Sequence, residues 1–332
     1  MIADFYLCPV DRQSLSVQGS TLVCTSCHRK FETTEGVLDF DVIKSSQREA
    51  FDAKFKSQQG LTAEEIAAST KMASEFLVHA GGVLEDKKIV DIGCGNGALT
   101  YGLLSNPSVS NCDIFCFDHS VGSMRIFLNS AAEIQTTNRL LPSIQDVHRF
   151  AYPDNFFDVV FGCAILHHFL EYEKVLAQVY QSLKKGGVAV FAEPFAHGYL
   201  WVMFLLKLAG ETIPANAPDM GEFKHITKDS FFRLDHYADK NLLADFIDKF
   251  FFLEDELTNL CGELGFSVRF APFSPKEYYD VFMLDMLRTY GISNPKVVAK
   301  AKALYESLHD SIPQSLHRLV AHFKYIILLK PL

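Results

Sequence analysis

Val90-Asp91-Ile92-Gly93-Cys94-Gly95-Asn96-Gly97 lies between a charged break, Glu85-Asp86-Lys87-Lys88, and an apolar stretch, Ala98-Leu99-Thr100-Tyr101-Gly102-Leu103-Leu104. The pattern predicts a buried strand, a glycine turn and the start of a helix. Glycines at 93, 95 and 97 let the backbone lie flat against a ligand, with no Cβ in the way. Asp91 puts a carboxylate near the end of the strand. A loop built for a pyrophosphate avoids negative charge there, whereas a ligand with a cationic amino group is served by it.

Outward from this turn, strand-like and helix-like segments alternate. Residues 88–92, 113–117, 140–144, 157–162 and 187–192 read as strands one to five. Helix-length segments between them imply a parallel sheet covered on both faces, an α/β fold. In such sheets the ligand lies outside the carboxyl ends of the strands. Asp91, Asp118, Asp146 and Glu193 all fall at those ends. Before the sheet, residues 62–80 read as a helix, with Thr62 as N-cap, Glu65 three residues on and Gly81-Gly82 as the stop. After residue 195 the rhythm breaks. Residues 195–252 are aromatic-rich and irregular, 252–264 read as a helix, 265–270 as strand six, 275–316 as two or three helices and 322–329 as a final strand.

Residues 88–194 resemble the cofactor-binding core of class I S-adenosylmethionine (SAM) methyltransferases, in particular the small-molecule group that includes ubiquinone and menaquinone biosynthesis methyltransferases. Besides the glycine turn, the resemblance rests on Tyr152-Pro153-Asp154-Asn155-Phe156-Phe157-Asp158 before strand four, Leu166-His167-His168-Phe169 after it, and Leu183-Lys184-Lys185-Gly186-Gly187 before strand five. It implies a Rossmann-like, seven-stranded core. It implies that Asp91 takes the methionine amino group, that Gly93, Cys94, Gly95 and Gly97 form the turn beneath the methionine and ribose, and that Asp118 binds the ribose hydroxyls. His119 then flanks the adenine, Asp146 and Val147 read its edge, and Cys163 offers a backbone carbonyl. The spacing Gly93-x-Gly95-x-x-Ala98 also fits a dinucleotide turn. Asp91 and the 146–168 segment favour SAM, having no role in a dehydrogenase.

Methyl transfer from a sulfonium is an in-line displacement, so the protein mainly holds a nucleophile against the methyl group. An oxygen or amine nucleophile is helped by a base, usually histidine. His167, at the cofactor end of strand four, is the first candidate and His197 the second, followed by His225 and His236. Thiolates and stabilised carbanions need no base.

Residues 5–40 resemble the zinc-ribbon modules of the small activator subunit of tRNA and protein methyltransferases. Cys24-x-x-Cys27 is a metal knuckle. Cys8-Pro9-Val10-Asp11 matches a first knuckle with Asp11 in place of its second cysteine. Cys8, Asp11, Cys24 and Cys27 form a possible structural zinc set, since zinc accepts a carboxylate oxygen, with His28 as an alternative fourth ligand. Forty residues need such a staple to hold a core. A ribbon that kept its fold and lost its metal is the other reading.

The implied organisation is a ribbon-like unit at 1–40, a SAM-binding core at 41–194, an insertion at 195–252, core again at 253–274, a helical insertion at 275–316 and the last core strand at 317–332. Both insertions leave from carboxyl ends of strands, so they are expected to form helical lids over the site. Their aromatic residues, Tyr199, Trp201, Phe204, Phe223, Phe231, Phe232 and Tyr237 in the first and Tyr278, Tyr279 and Phe282 in the second, are expected to divide between packing the lids and lining an apolar chamber.

A formal charge of -9 and the absence of a Lys/Arg cluster disfavour nucleic acid as a partner. Eight cysteines without a signal-peptide pattern point to reduced thiols and a cytoplasmic protein. The longest apolar run, 199–206, is too short to cross a membrane. The expected activity is methyl transfer from SAM to an O, N, C or S atom of a small, apolar metabolite. The competing expectations are an RNA methyltransferase that uses the ribbon to hold its substrate, and a non-catalytic interaction subunit. The oligomeric state has no signature in the sequence.

Overall fold

The computed structural model describes residues 2–40, 52, 58–211, 220–237, 239–273, 287, 292 and 294–332. Its strands are β1 (Leu15–Gln18), β2 (Thr21–Cys24), β3 (Lys30–Phe31), β4 (Thr33–Thr34), β5 (Val37–Asp39), β6 (Leu84–Glu85), β7 (Lys88–Ile92), β8 (Val109–Ser110), β9 (Asp113–Asp118), β10 (Arg139–Ile144), β11 (Phe157–Cys163), β12 (Leu183–Pro194), β13 (Ser267–Pro272) and β14 (Phe323–Leu329). The central sheet has the order β13-β14-β12-β11-β7-β9-β10-β5-β4. From β12 to β5 every pairing is parallel, while β14 runs antiparallel to both its neighbours, β12 and β13.

The glycine-turn strand, β7, is central. Later strands β9 and β10 lie to one side of it and β11 and β12 to the other. The order reverses between β7 and β11, which opens a crevice outside their carboxyl ends. Strand residues alternate between two buried layers. Val90, Ile92, Phe115 and Phe117 join Tyr152, Leu176 and Val179 on one face. Ile89, Ile114 and Phe161 join Phe76, Leu103 and Phe127 on the other. Burial on both sides is why these strands are continuously apolar.

The helix Ala63–His79 begins with the expected capping box: Glu65 N donates to Thr62 Oγ1, and Thr62 N donates to Glu65 Oε2. The following helix, Ala98–Ser105, packs against it through Gly102, where a Cβ would come within 2.2 Å of Ser69 O.

Two expectations about organisation are refined. The seven strands are present, but the sheet continues into two more from the amino-terminal unit. β5 pairs with β10, and β4 with β5. The antiparallel β1–β3 is fastened to the same body. Leu7 N donates to Ala151 O at 2.8 Å, and Arg12 Nη2 reaches Asp154 Oδ1 at 2.6 Å. Phe5 and Tyr6 pack edge-on against Phe115. The unit shares the core's apolar layer, which supplies burial that forty residues lack alone.

The stretch 195–252 is not irregular. It contains the helices Ala196–Gly210, Met220–Asp235 and Lys240–Leu243. Within 275–316 the helix Pro295–Ser311 is present. Tyr278, Tyr279 and Phe282 lie outside the described residues, as does the side chain of Phe223. Tyr199 packs with Met203, Leu206, Phe251 and Tyr305 in a third apolar cluster, so it is spent on holding these helices together. Trp201 and Phe204 are exposed.

Candidate active site

The carboxyl ends of β7, β9, β10 and β11 surround a cavity of about 490 Å³. Its walls include Asp91, Gly93, Cys94, Gly95, Asp118, His119, Asp146, Val147 and Cys163, nine of the ten residues expected from sequence to meet the cofactor. The tenth, Gly97, stands at the foot of the helix Ala98–Ser105. The glycines divide the work. A Cβ on Gly93 would fall 2.2 Å from Ile165, and one on Gly97 2.2 Å from Phe127. Those two are required by packing. Gly95 has a φ of +54° and nothing within 4 Å of its missing Cβ, so its backbone borders open space.

Asp91 is buried and accepts a hydrogen bond from Thr100 Oγ1 at 2.7 Å. Burial pushes its carboxyl up to about 7, against the pull of the Thr100 bond and helped by the nearby Asp118 charge. Asp118 ends β9 and ties two turns together. Its Oδ2 accepts from Gly95 N at 2.9 Å and its Oδ1 from Ser120 N at 2.8 Å. Asp146, past β10, is raised by burial but lowered more by hydrogen bonds from the His148 ring and backbone, at 3.1 and 2.9 Å. Burial raises the Cys163 thiol, and the charges of Glu193 and Asp91 raise it further. Asp158 is structural: it accepts from Lys88 N at 2.9 Å and Lys184 Nζ at 2.7 Å.

Several further wall residues were not among the expected cofactor contacts. Met72 comes from the helix Ala63–His79, and Asn96 Nδ2 donates to Glu65 Oε1 of that helix at 3.1 Å. Gln145, His148, His168 and Phe169 complete the other side. His168 and Phe169 belong to the Leu166–Phe169 motif, and for Gln145 and His148 adjacency to Asp146 was the available signal.

The histidine expectations are corrected. His167 is buried and is not part of the cavity wall among the described residues. Its Nδ1 lies 2.7 Å from Glu193 Oε2 and its Nε2 3.5 Å from Asp248 Oδ1. Burial alone would lower its pKa, but the two carboxylates outweigh it and raise it to about 9. A ring held between two carboxylates favours its protonated form, which opposes a role as base. His197 is exposed in the first turn of the helix Ala196–Gly210, and His225 is exposed on the next helix. His236 contacts the backbone of its own segment, Phe232 O, at 2.9 Å. None of these three reaches the wall. His168 does, and burial together with the His167 charge holds it down at about 4. Nor do Tyr199, Trp201, Phe204, Phe231, Phe232 or Tyr237 line the cavity.

The residues present fit SAM. The open Gly95 backbone, flanked by Asp91 and Asp118, can take an amino-acid cation joined to a nucleoside. Among the described residues no Lys or Arg lines the cavity, so there a dinucleotide pyrophosphate would meet carboxylates without a counter-charge. A family model described as a methyltransferase domain matches residues 90–191, the span from the glycine turn through β12. The fold of this span is that of a Rossmann-like methyltransferase core. The domain match stops before the helices that follow β12. Among curated relatives, sterol 24-C-methyltransferase of Eremothecium gossypii is 23% identical over 164 residues, 49% of this chain and 41% of that protein. Sterol 24-C-methyltransferase erg6 of Aspergillus fumigatus is 25% identical over 114 residues, 34% of this chain and 29% of that protein. The chain thus spans less than half the length of these relatives. Among solved structures, Haemonchus contortus phosphoethanolamine N-methyltransferase 2 in complex with S-adenosyl-L-methionine is 13% identical, with a TM-score of 0.49. That alignment covers 88% of this chain and 61% of the other.

The second expected site is also assembled. One ligand atom from each of Cys8, Asp11, Cys24 and Cys27 lies within 4.8 Å of the others. Cys8 Sγ is 3.7 Å from Cys27 Sγ, and Cys24 Sγ is 3.4 Å from Asp11 Oδ1. Backbone N–H groups of Ser26 and Cys27 both point at Cys24 Sγ, at 3.4 Å, as suits a thiolate. His28 is exposed and outside the group. Three sulfurs and a carboxylate are a donor set that zinc accepts.

Proposed function

We propose that the protein transfers a methyl group from SAM to an O, N, C or S atom of a small, largely apolar metabolite, with Asp91 facing the methionine amino group, Asp118 the ribose and Asp146-Val147 the adenine. The observation that carries this reading is the ring of strand-end carboxylates around a cavity whose floor is the open Gly95 backbone. When bound, SAM supplies an electrophilic methyl on a good leaving group. The chain's residues supply position: Asp118 fixes the glycine turn, and the buried apolar walls exclude water from the reacting atoms. The sterol-methyltransferase relatives favour an apolar acceptor, though they share less than half their length with this chain. Calorimetry with SAM, its demethylated product S-adenosylhomocysteine (SAH) and NAD tests the cofactor. SAM and SAH are expected to bind and NAD to fail. The acceptor is sought by mass spectrometry of a metabolite pool incubated with enzyme and SAM. Heat from NAD but not SAM would end the reading.

We further propose that Cys8, Asp11, Cys24 and Cys27 hold one structural zinc, a closed four-ligand site with no position for chemistry. Cys8 and Cys24 belong to the apolar layer shared with β9 and β11, which supports a structural role for such a site.

A further inference from the structure

Glu193, His167 and Asp248 form a line of alternating charge beside the cavity, and the reactions proposed above leave it unused. Glu193 ends β12 and is fully buried. Its Oε1 accepts from Ile165 N at 2.9 Å and Leu166 N at 2.8 Å, while Oε2 faces His167 Nδ1. One carboxylate therefore organises the turn after β11. Ala164, Ile165, His168 and Phe169 of that turn are cavity wall. On the far side of the His167 ring stands Asp248, in a strap that runs into Phe252. The strap is knitted to the same turn and to the end of β12: Lys249 N donates to His167 O at 2.8 Å, and Phe252 N donates to Pro194 O at 2.9 Å. His168 Nδ1 is 3.0 Å from Ile247 O.

The donor atoms of His167, His168 and Asp248 are close enough together to suggest a metal. The His168 nitrogen that such a site needs is already engaged by the Ile247 carbonyl, so a metal is the weaker reading. Two carboxylates around one imidazole instead call for a proton on each ring nitrogen.

We propose that His167 is a positioning residue of the methyl-transfer site: as an imidazolium clamped between Glu193 and Asp248, it locks the cavity wall at 164–169 to the strap at 245–252. The proposal rests on the SAM reading of the cavity. Removing the proton from His167 leaves an imidazole lone pair against one of the carboxylates. The clamp then loosens and the wall gains freedom. Glu193 and Asp248 set that proton, and His168, Cys163 and Arg233 are the other titratable or charged groups around them. Glu193 comes from β12, Asp248 from the strap, His168 from the turn itself, and Cys163 from β11 lies near Glu193. Arg233, on the helix Met220–Asp235, acts through Asp248. The ring's pKa is raised in the folded protein, so its contribution is complete below the unfolded value. It is lost as pH rises through about 9.

The test measures SAH affinity by calorimetry from pH 6.5 to 10, together with hydrogen exchange of residues 164–169. Asp248 is 57% exposed at its side chain, so Asp248→Ala and Asp248→Asn are expected to fold, with melting as the control. In the wild type the wall should be protected at neutral pH and lose protection above about pH 9. Both variants should bind SAH about fivefold or more weakly at pH 7, exchange faster at 164–169 and lose the alkaline transition. Nitrogen NMR of the His167 ring should show both nitrogens protonated at pH 7 in the wild type. Unchanged affinity, exchange and pH profile in folded Asp248→Ala overturn the clamp, as does a neutral His167 ring. Failure of the wild type to bind SAH at all overturns the cofactor reading instead.

Discussion

At the scale of single residues, Asp118 and Asp91 do different work. Asp118 uses both oxygens to hold backbone N–H groups of the turns on either side, so its loss removes the proposed ribose acceptor and also slackens the Gly95 loop. A charged hydrogen bond contributes about 1.5–3 kcal/mol. Asp118→Ala is therefore expected to weaken SAM binding about tenfold or more while the protein still melts cooperatively. Calorimetry beside a thermal scan checks both, and an unchanged affinity would remove the ribose role. Asp91 gives a pH dependence. With its empty-state pKa near 7, ionising it to meet an ammonium group costs binding energy below that value. SAM should bind about tenfold more tightly at pH 8 than at pH 6, releasing a proton that calorimetry in two buffers counts. The sign for stability is opposite. The folded pKa lies above the unfolded value of 3.8, so the native state holds the extra proton. As far as this group is concerned, the empty domain loses stability as pH climbs from about 4 to about 7. These two residues were legible because strand-end carboxylates have no place in an apolar core. The setting of His167 was not legible because its partner Asp248 lies 81 residues away in a segment without a motif, and only folding brings them to 3.5 Å.

At the scale of elements, the glycine turn predicts a contrast. Gly97→Ala would drive a methyl into the Phe127 ring at a left-handed φ of +76°. It should lower the melting temperature sharply, since a buried clash adds to the conformational cost of about 1–2 kcal/mol. Gly95→Ala meets no protein atom, so it should cost stability only through its φ and act mainly on SAM affinity. A scan in which both variants melt alike would show that the open space at Gly95 is not the cofactor's. The helices and parallel strands were readable from local pattern. β7 has the expected bounds, and the Thr62–Glu65 capping box is formed as expected. The pairing of β5 with β10 was not readable. Three residues, Val37–Asp39, carry too little periodicity to choose a partner more than a hundred residues on. The helices after β12 were not legible as such because the first, Ala196–Gly210, is apolar around most of its surface and shows little one-sided periodicity. Their apolar stripe is satisfied by one another rather than by the sheet.

At the scale of the molecule, the amino-terminal unit and the cofactor domain share one apolar layer, so the metal site and the SAM site are expected to be linked through stability. Cys24→Ser should lower zinc content measured by elemental analysis and also lower the melting temperature of the SAM-binding transition. Full metal content in that variant would show the ligand set to be wrong. Two separate transitions would show that the units fold independently. The four candidate ligands stand together as a cluster, but their attachment was not legible, because Arg12, Leu7 and Phe5 belong to no motif and act only once β9 and the 150–154 loop are in place.

The position of β14 has a consequence for synthesis. β13 has one neighbour in the sheet, and that neighbour is β14, which also covers the flank of β12. A ribosome that has made residues 1–300 has released every strand of the parallel array, yet the flank of β12 remains a bare row of amides and carbonyls, and β13 has nothing to bind. Such an edge invites pairing with another nascent chain. The flank of β12 is thus uncovered from residue 194 until β14 is made, β13 joins it unpaired from residue 272, and slowing elongation before residue 323 should raise the fraction that aggregates.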